Sequence, residues 1–195
     1  MKIIWYNYIF PLHDSTGADT GMAFHVAVSG SPINGTSADD NISGTADNDN
    51  IFGHEGNDAI DAGTGDDRIH GGHGADLLNG GLGHDVFHYN SLSDSNSMAF
   101  DTISDFTSWN SDTGAGDKID LVALHTFGIV AFTDLTITQD TASNETIITA
   151  NDNAINSHFG AGGAGGNGGG NAAHTDFEIH LKGLITLHQE DFSWG

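Results

Sequence analysis

The chain has no cysteine and only four basic residues, Lys2, Arg68, Lys118 and Lys182. The first absence removes disulfide staples and cysteine-ligated zinc. The second stands against 27 acidic residues, for a formal charge of −23. It excludes nucleic acid as a partner, because nothing here neutralises a run of phosphates. A bare acidic membrane is disfavoured on the same ground, and no apolar run approaches the roughly 18 residues of a membrane-spanning helix. Catalytic signatures are missing as well. His54-Glu55 is not followed by a second histidine at the HExxH spacing of zinc proteases. There is no Gly-x-Ser-x-Gly elbow and no phosphate-binding loop. The chain therefore reads as a non-catalytic module.

So large a charge usually marks a disordered chain. Here the acids are phased. Residues 35–88 divide into six consecutive nonapeptides, GTSADDNIS, GTADNDNIF, GHEGNDAID, AGTGDDRIH, GGHGADLLN and GGLGHDVFH. Position six is always aspartate: Asp40, Asp49, Asp58, Asp67, Asp76 and Asp85. Position eight is always large and apolar, namely Ile42, Ile51, Ile60, Ile69, Leu78 and Phe87. Position four is glycine in the last four repeats, at Gly56, Gly65, Gly74 and Gly83. A flexible glycine-rich linker has no reason to hold an acid and an apolar residue two apart through six periods.

The glycines let the backbone turn tightly and aim carbonyl oxygens inward, and the aspartate closes the turn with a hard anionic oxygen, a donor set suited to calcium. The remaining three residues form a short strand with one inward side chain. Two repeats make a full turn, so a loop stacks on the loop two repeats away, with strands about 4.8 Å apart.

This pattern resembles the RTX nonapeptide GGxGxDxUx, and the resemblance implies a parallel β-roll filled with calcium. About four Ca²⁺ ions would lie between stacked loops, the first with the third and so on to the fourth with the sixth. The candidate ligands are Asp40, Asp49, Asp58, Asp67, Asp76 and Asp85. They are joined by the loop residues Gly53, Glu55, Gly56, Gly65, Gly71, Gly72, His73, Gly74, Gly80, Gly81 and Gly83, and beyond the repeats by Asp101 and Asp105. Repeats one and two depart from the pattern, with Thr36 and Thr45 at position two and Ala38 and Asp47 at position four. Calcium binding is less expected there, but the strand is not in question.

Upstream, Met1–Phe10 begins with lysine and an apolar stretch broken by Asn7 and stopped by Pro11, with no small-residue cleavage site following. It reads as a short strand or a chain boundary rather than a cleaved signal. Gly21–Val28 reads as a strand leading through the turn Gly30-Ser31-Pro32 into the roll. Downstream, 86–90 continues the last strand of the roll, and strands are expected at 101–106, 116–121, 135–138, 146–150, 177–181 and 185–194, forming an antiparallel cap over the open end. Gly160–Gly170 reads as a surface loop. His70 and His88, both at position nine, should be neighbours on the outer face.

The fold expected is all-β, a parallel β-roll continued and capped by antiparallel strands. Residues 1–34 lead in, 35–88 form the roll, and 89–195 form the cap. The cap motifs are similar to the C-terminal modules of serralysin-type proteases and alginate epimerases. That similarity implies a secreted, extracellular protein exported by a type I machinery, with Asp191-Phe192-Ser193-Trp194 as a signal-like tail. The function expected is calcium-triggered folding and export. Two alternatives stay open. One is a calcium-dependent adhesion module or one binding acidic polysaccharide; the other is the terminal piece of a protease, lipase or epimerase.

The stacking predicts a rank order among six single Asp→Asn variants. Asp58 and Asp67 each serve two stacked pairs, so their replacement should weaken calcium-dependent folding most. Asp40→Asn, in the irregular first loop, should weaken it least. Calcium titrations of folding with equal shifts for all six variants would contradict the two-repeat stacking.

Overall fold

The computed structural model describes residues 32–150 and 177–194, together with the backbone of 24–26. Met1–Phe10, Gly30, Ser31 and Gly160–Gly170 lie outside the described residues.

One buried side chain per nonapeptide forces the short-strand solution, because neighbours along a strand point to opposite faces. The strands are β1 (Phe24–Val26), β2 (Ile33–Asn34), β3 (Asn41–Ser43), β4 (Asn50–Glu55), β5 (Ala59–Asp61), β6 (Arg68–His73), β7 (Leu77–Asn79) and β8 (Val86–His88). They continue as β9 (Asp101–Ile103), β10 (Lys118–Asp120), β11 (Leu135–Asp140), β12 (Glu145–Ala150), β13 (Glu178–Lys182) and β14 (Phe192–Ser193). Most roll strands have the expected three residues. β4 and β6 run to six, because their pairing continues round the bend through His54↔Gly72 and Glu55↔His73.

From β1 to β11 consecutive strands alternate between two sheets. One runs β1-β3-β5-β7-β9-β13-β12-β11, the other β14-β10-β8-β6-β4-β2. Within the repeats every pairing is parallel with an offset of 18 residues, as in Ile42↔Ile60 and Ile51↔Ile69. The inward residues Ile42, Ile51, Ile60, Ile69, Leu78 and Phe87 are at most 2% exposed, and they merge into one apolar core.

The roll does not end with the repeats. The expected antiparallel strands at 101–106 and 116–121 instead add in parallel, through Leu78↔Ile103 and Phe87↔Ile119. Both segments keep the Asp-x-Ile spacing of the repeat, at Asp101–Ile103 and Asp117–Ile119. The connections at 89–100 and 104–117 are long enough to carry the chain across to the other sheet, which a hairpin turn would not do. Among the described strands antiparallel pairing joins β11, β12 and β13, and β13 returns to the roll in parallel with β9.

The expected long strand at 185–194 shrinks to β14, preceded by a 3₁₀ turn at Gln189–Asp191. Side chains take the backbone groups that a ladder would use. Ile185 N–H donates to the Thr146 hydroxyl at 2.8 Å, and His188 N–H to Asp191 at 2.6 Å. Buried Phe177, Leu187 and Phe192 close the core, with Tyr89 edge-on to Phe177 at 5.4 Å.

A roll only one side chain thick has little slack to fill a void. Ile69→Ala should cost about 2–5 kcal/mol of unfolding free energy, whereas Leu82→Ala, at a loop residue 73% exposed, should fall within about 0.5 kcal/mol of the parent. Denaturant unfolding in saturating calcium measures both, and similar losses at the two sites would contradict the single-file core.

Candidate metal centre

The aspartates at position six are nearly fully buried and stacked in two columns. From Asp58 onward each is fixed by a main-chain bond from the aspartate of the preceding turn. On one edge Asp40 N–H donates to Asp58 Oδ1, Asp58 N–H to Asp76 Oδ1, and Asp76 N–H to Asp101 Oδ1, at 2.8, 2.8 and 3.0 Å. On the other, Asp49 donates to Asp67, Asp67 to Asp85, and Asp85 to Asp117, at 2.7, 2.9 and 3.0 Å. These ladders use one carboxylate oxygen per residue. The second oxygen, Oδ2, of Asp58, Asp67 and Asp76 is buried without a hydrogen-bond partner.

The glycines set how closely the loops stack. A Cβ on Gly74, whose φ is +145°, would fall 1.9 Å from the Gly56 carbonyl oxygen, and one on Gly83 (φ +146°) would fall 1.8 Å from that of Gly65. Carbonyls of one loop thus face the bare backbone of the next. At position one, a Cβ on Gly53 or Gly71 would lie 2.3 or 2.2 Å from Oδ2 of Asp58 or Asp76. The cradle is made of carboxylate and carbonyl oxygens, the hard donors that calcium takes. Among the described residues no group of three or more His, Asp or Glu side chains is arranged to hold an ion. An ion in the cradle therefore depends on main-chain oxygens as well as carboxylates.

Burial governs the protonation of these acids. It raises Asp58 from the ordinary 3.8 to about 7, against the opposing Asp40 N–H bond and with help from the charges of Asp76 and Asp40. Asp76 and Asp85 rise to about 6 for the same leading reason. Burial also raises Asp67 and Asp117, and with Asp76 alongside it pushes Asp101 far up. Removing such charges from water is expensive unless opposite charge comes with them.

The other expected ligands divide. Asp101 joins the ladder. Asp105 accepts the N–H groups of Gly80 and Gly81 at 3.0 and 2.6 Å. The side chains of Glu55 and His73 instead line an outer cavity of about 420 Å³ with His54, His70 and Asp94, which none of the ladder aspartates lines. His70 and His88 are neighbours as expected, with ring centroids 5.6 Å apart. Their net is closed by His88 on Asp120 at 2.9 Å and Arg68 on the same oxygen at 3.0 Å.

Asp117 and Asp94 were not singled out from the sequence. Asp117 was legible as the head of a second Asp-x-Ile after the repeats. Asp94 stands nine residues beyond Asp85, in a seventh, degenerate period, where its Oδ2 accepts the Asn90 N–H at 2.7 Å.

The fold and its ladders define a parallel β-roll with carboxylate oxygens buried in two columns between stacked loops. Residues 34–68 and 54–87 match the family described as RTX calcium-binding nonapeptide repeat (4 copies). No curated protein matches the chain. Among solved structures it is similar to the AlgE6R3 subunit of the Azotobacter vinelandii mannuronan C5-epimerase, at 24% identity and a TM-score of 0.60. That match covers 87% of this chain and 85% of the other. The AlgE6R2 subunit of the same enzyme matches at 23% identity and a TM-score of 0.59, over 86% and 94%. At these identities the likeness is one of fold.

A carboxyl with a raised pKa holds more protons in the folded than in the unfolded chain. The ion-free roll is therefore stabilised as pH falls below about 7 toward 3.8, and that contribution is lost as pH rises through about 7. In excess chelator, β-sheet circular dichroism should strengthen on titration from about pH 8 to about pH 5. A signal that stays flat or weakens contradicts the burial of these acids.

Proposed function

We propose that the chain is a calcium-triggered folding module of an exported protein. Residues 1–34 serve as lead-in, 35–88 as the repeat part of the calcium roll, and 89–195 as its continuation through β9 and β10 together with the cap. The observation that carries this reading is the unpartnered, buried Oδ2 on Asp58, Asp67 and Asp76 within RTX repeats. Asp58, Asp67, Asp76 and Asp85 supply the carboxylates, and the stacked glycine loops supply carbonyls.

Extracellular calcium modules bind with dissociation constants near 10⁻⁴ to 10⁻³ M. At the tight end, about 1 to 10 mM ion contributes roughly 1.4 to 2.7 kcal/mol per site. About four sites then approach the whole stability of a domain, whereas micromolar calcium contributes almost nothing. The module stays unfolded where calcium is scarce and folds where it is plentiful, which suits passage through a type I exporter. The tail Asp191-Phe192-Ser193-Trp194 would carry the export signal. Once folded, Phe192 seats beside Ile119 and Asp191 is buried, accepting the Trp109 N–H. Among the described residues no helix is long and apolar enough to cross a membrane. The likeness to epimerase subunits brings no substrate with it.

Millimolar calcium should restore β-sheet circular dichroism to chelator-treated chain at neutral pH, and magnesium should not. Magnesium demands octahedral geometry at about 2.0–2.1 Å and gives up its waters reluctantly. A full signal in chelator that calcium does not change, or full recovery in magnesium alone, would sink the reading.

A further inference from the structure

Position two of the nonapeptide separates the loops into two kinds. In the first two repeats it is threonine, and threonine closes the loop with two donors. The main-chain N–H and the hydroxyl of Thr36 both reach Asp40 Oδ2, at 2.6 and 2.9 Å. Those of Thr45 reach Asp49 Oδ2 at 2.6 and 2.8 Å. In the later repeats position two is His54, Gly63, Gly72 or Gly81, with no hydroxyl. There the corresponding Oδ2 of Asp58, Asp67 and Asp76 has no hydrogen-bond partner, and each of these residues is at most 2% exposed.

The same oxygen in the same loop position is therefore satisfied in two ways. A buried carboxylate oxygen needs positive charge or donors close by. At Oδ2 threonine provides donors from within its own chain, and the later loops leave that place to a cation. The oxygen left without a partner on Asp49 is Oδ1, the atom that carries the main-chain rung in Asp67 and Asp85, not the one that faces the loop. Asp117, in the final coil, follows the threonine pattern in part, because its Oδ2 accepts the Thr107 N–H at 2.7 Å.

Resting on the calcium reading above, we infer that Thr36 and Thr45 stand in for calcium in the first coil. Asp40 and Asp49 are then structural acceptors rather than ion ligands, and calcium loading is confined to the carboxylates from Asp58 onward. The hydroxyl-closed coil is an ion-independent seat against which the calcium-dependent turns stack.

The test is the amount of calcium bound per chain at saturation, measured by equilibrium dialysis on the full chain with ⁴⁵Ca. T36G/T45G removes the hydroxyls and should bind more calcium than the parent, while T36S/T45S keeps them and should match it. D40N/D49N should leave the bound calcium unchanged, and D58N/D67N should lower it. The aspartate variants keep the test decisive if the glycine variant fails to fold. Loss of calcium in D40N/D49N, or a folded T36G/T45G that binds no more than the parent, overturns the threonine role. A parent chain that binds no calcium at all would overturn the underlying calcium reading instead.

Discussion

Everything in this roll depends on how a buried aspartate divides its two oxygens. One oxygen is spent on the main chain of the preceding turn and locks the 18-residue spacing. The other lies in the loop with no donor in reach at Asp58, Asp67 and Asp76. A carboxylate so placed is costly while it is charged and alone. It becomes an asset when a cation joins it, because the same low-dielectric setting strengthens their attraction. The raised pKa values of Asp58, Asp76 and Asp85 express that cost without the ion.

The strictness of the nine-residue period follows from the same arrangement. A slip by one residue would turn Ile60 or Ile69 out of the core, because strand side chains alternate faces. It would also carry the aspartate away from the N–H of its neighbour. Two independent constraints, apolar and ionic, thus fall on residues two apart. Outside them the loops vary freely, which is why position three holds Ser37, Ala46, Glu55, Thr64, His73 and Leu82. Position five carries a second, exposed ladder, in which Asn57 and Ala75 donate to Asp39 and Asn57. It tolerates Asp39, Asn48, Asn57 and Asp66 because any of these side chains offers an acceptor.

The repeats made the two sheets and the ladder aspartates legible, since each constraint leaves its own residue type at its own position. What lay beyond residue 88 was harder to read. Ile103 pairs with Leu78 at a separation of 25, which is 7 more than 18, and Ile119 pairs with Phe87 at 32, which is 14 more. Insertions of that size erase the period but leave the Asp-x-Ile core of the motif, so the segments looked like ordinary alternating strands while their aspartates continued the ladder. The role of Thr36 and Thr45 was legible only as irregularity. Whether a hydroxyl faces its own loop's carboxylate depends on backbone geometry that residue type does not state. The stretch 185–194 misled in the opposite sense. Its apolar alternation is real, but Thr146, Ser108 and Asp191 take up the backbone groups that would have made a longer strand.

Cooperativity follows from the ladder's direction. Each rung runs from the N–H of one aspartate to the carboxylate of the next turn, so a loop ordered around an ion fixes the backbone that its neighbour must meet. Contacts pass mainly between adjacent turns, and such a stack behaves as a one-dimensional chain of coupled units. With Asp58 N–H held by Asp76 and Asp76 N–H held by Asp101, the third loop is bound through the fifth to the cap. An end turn has a neighbour on one side only and loses part of that coupling, so it is where fraying begins. The first coil offsets this with threonine hydroxyls that are present at any calcium concentration. At the far end, β9, β10 and the antiparallel strands extend and cover the stack. Under the proposed function, the interior carboxylates between two such ends would respond to calcium together, and the charge that opposes folding of the empty chain would become the set of ligands that closes it.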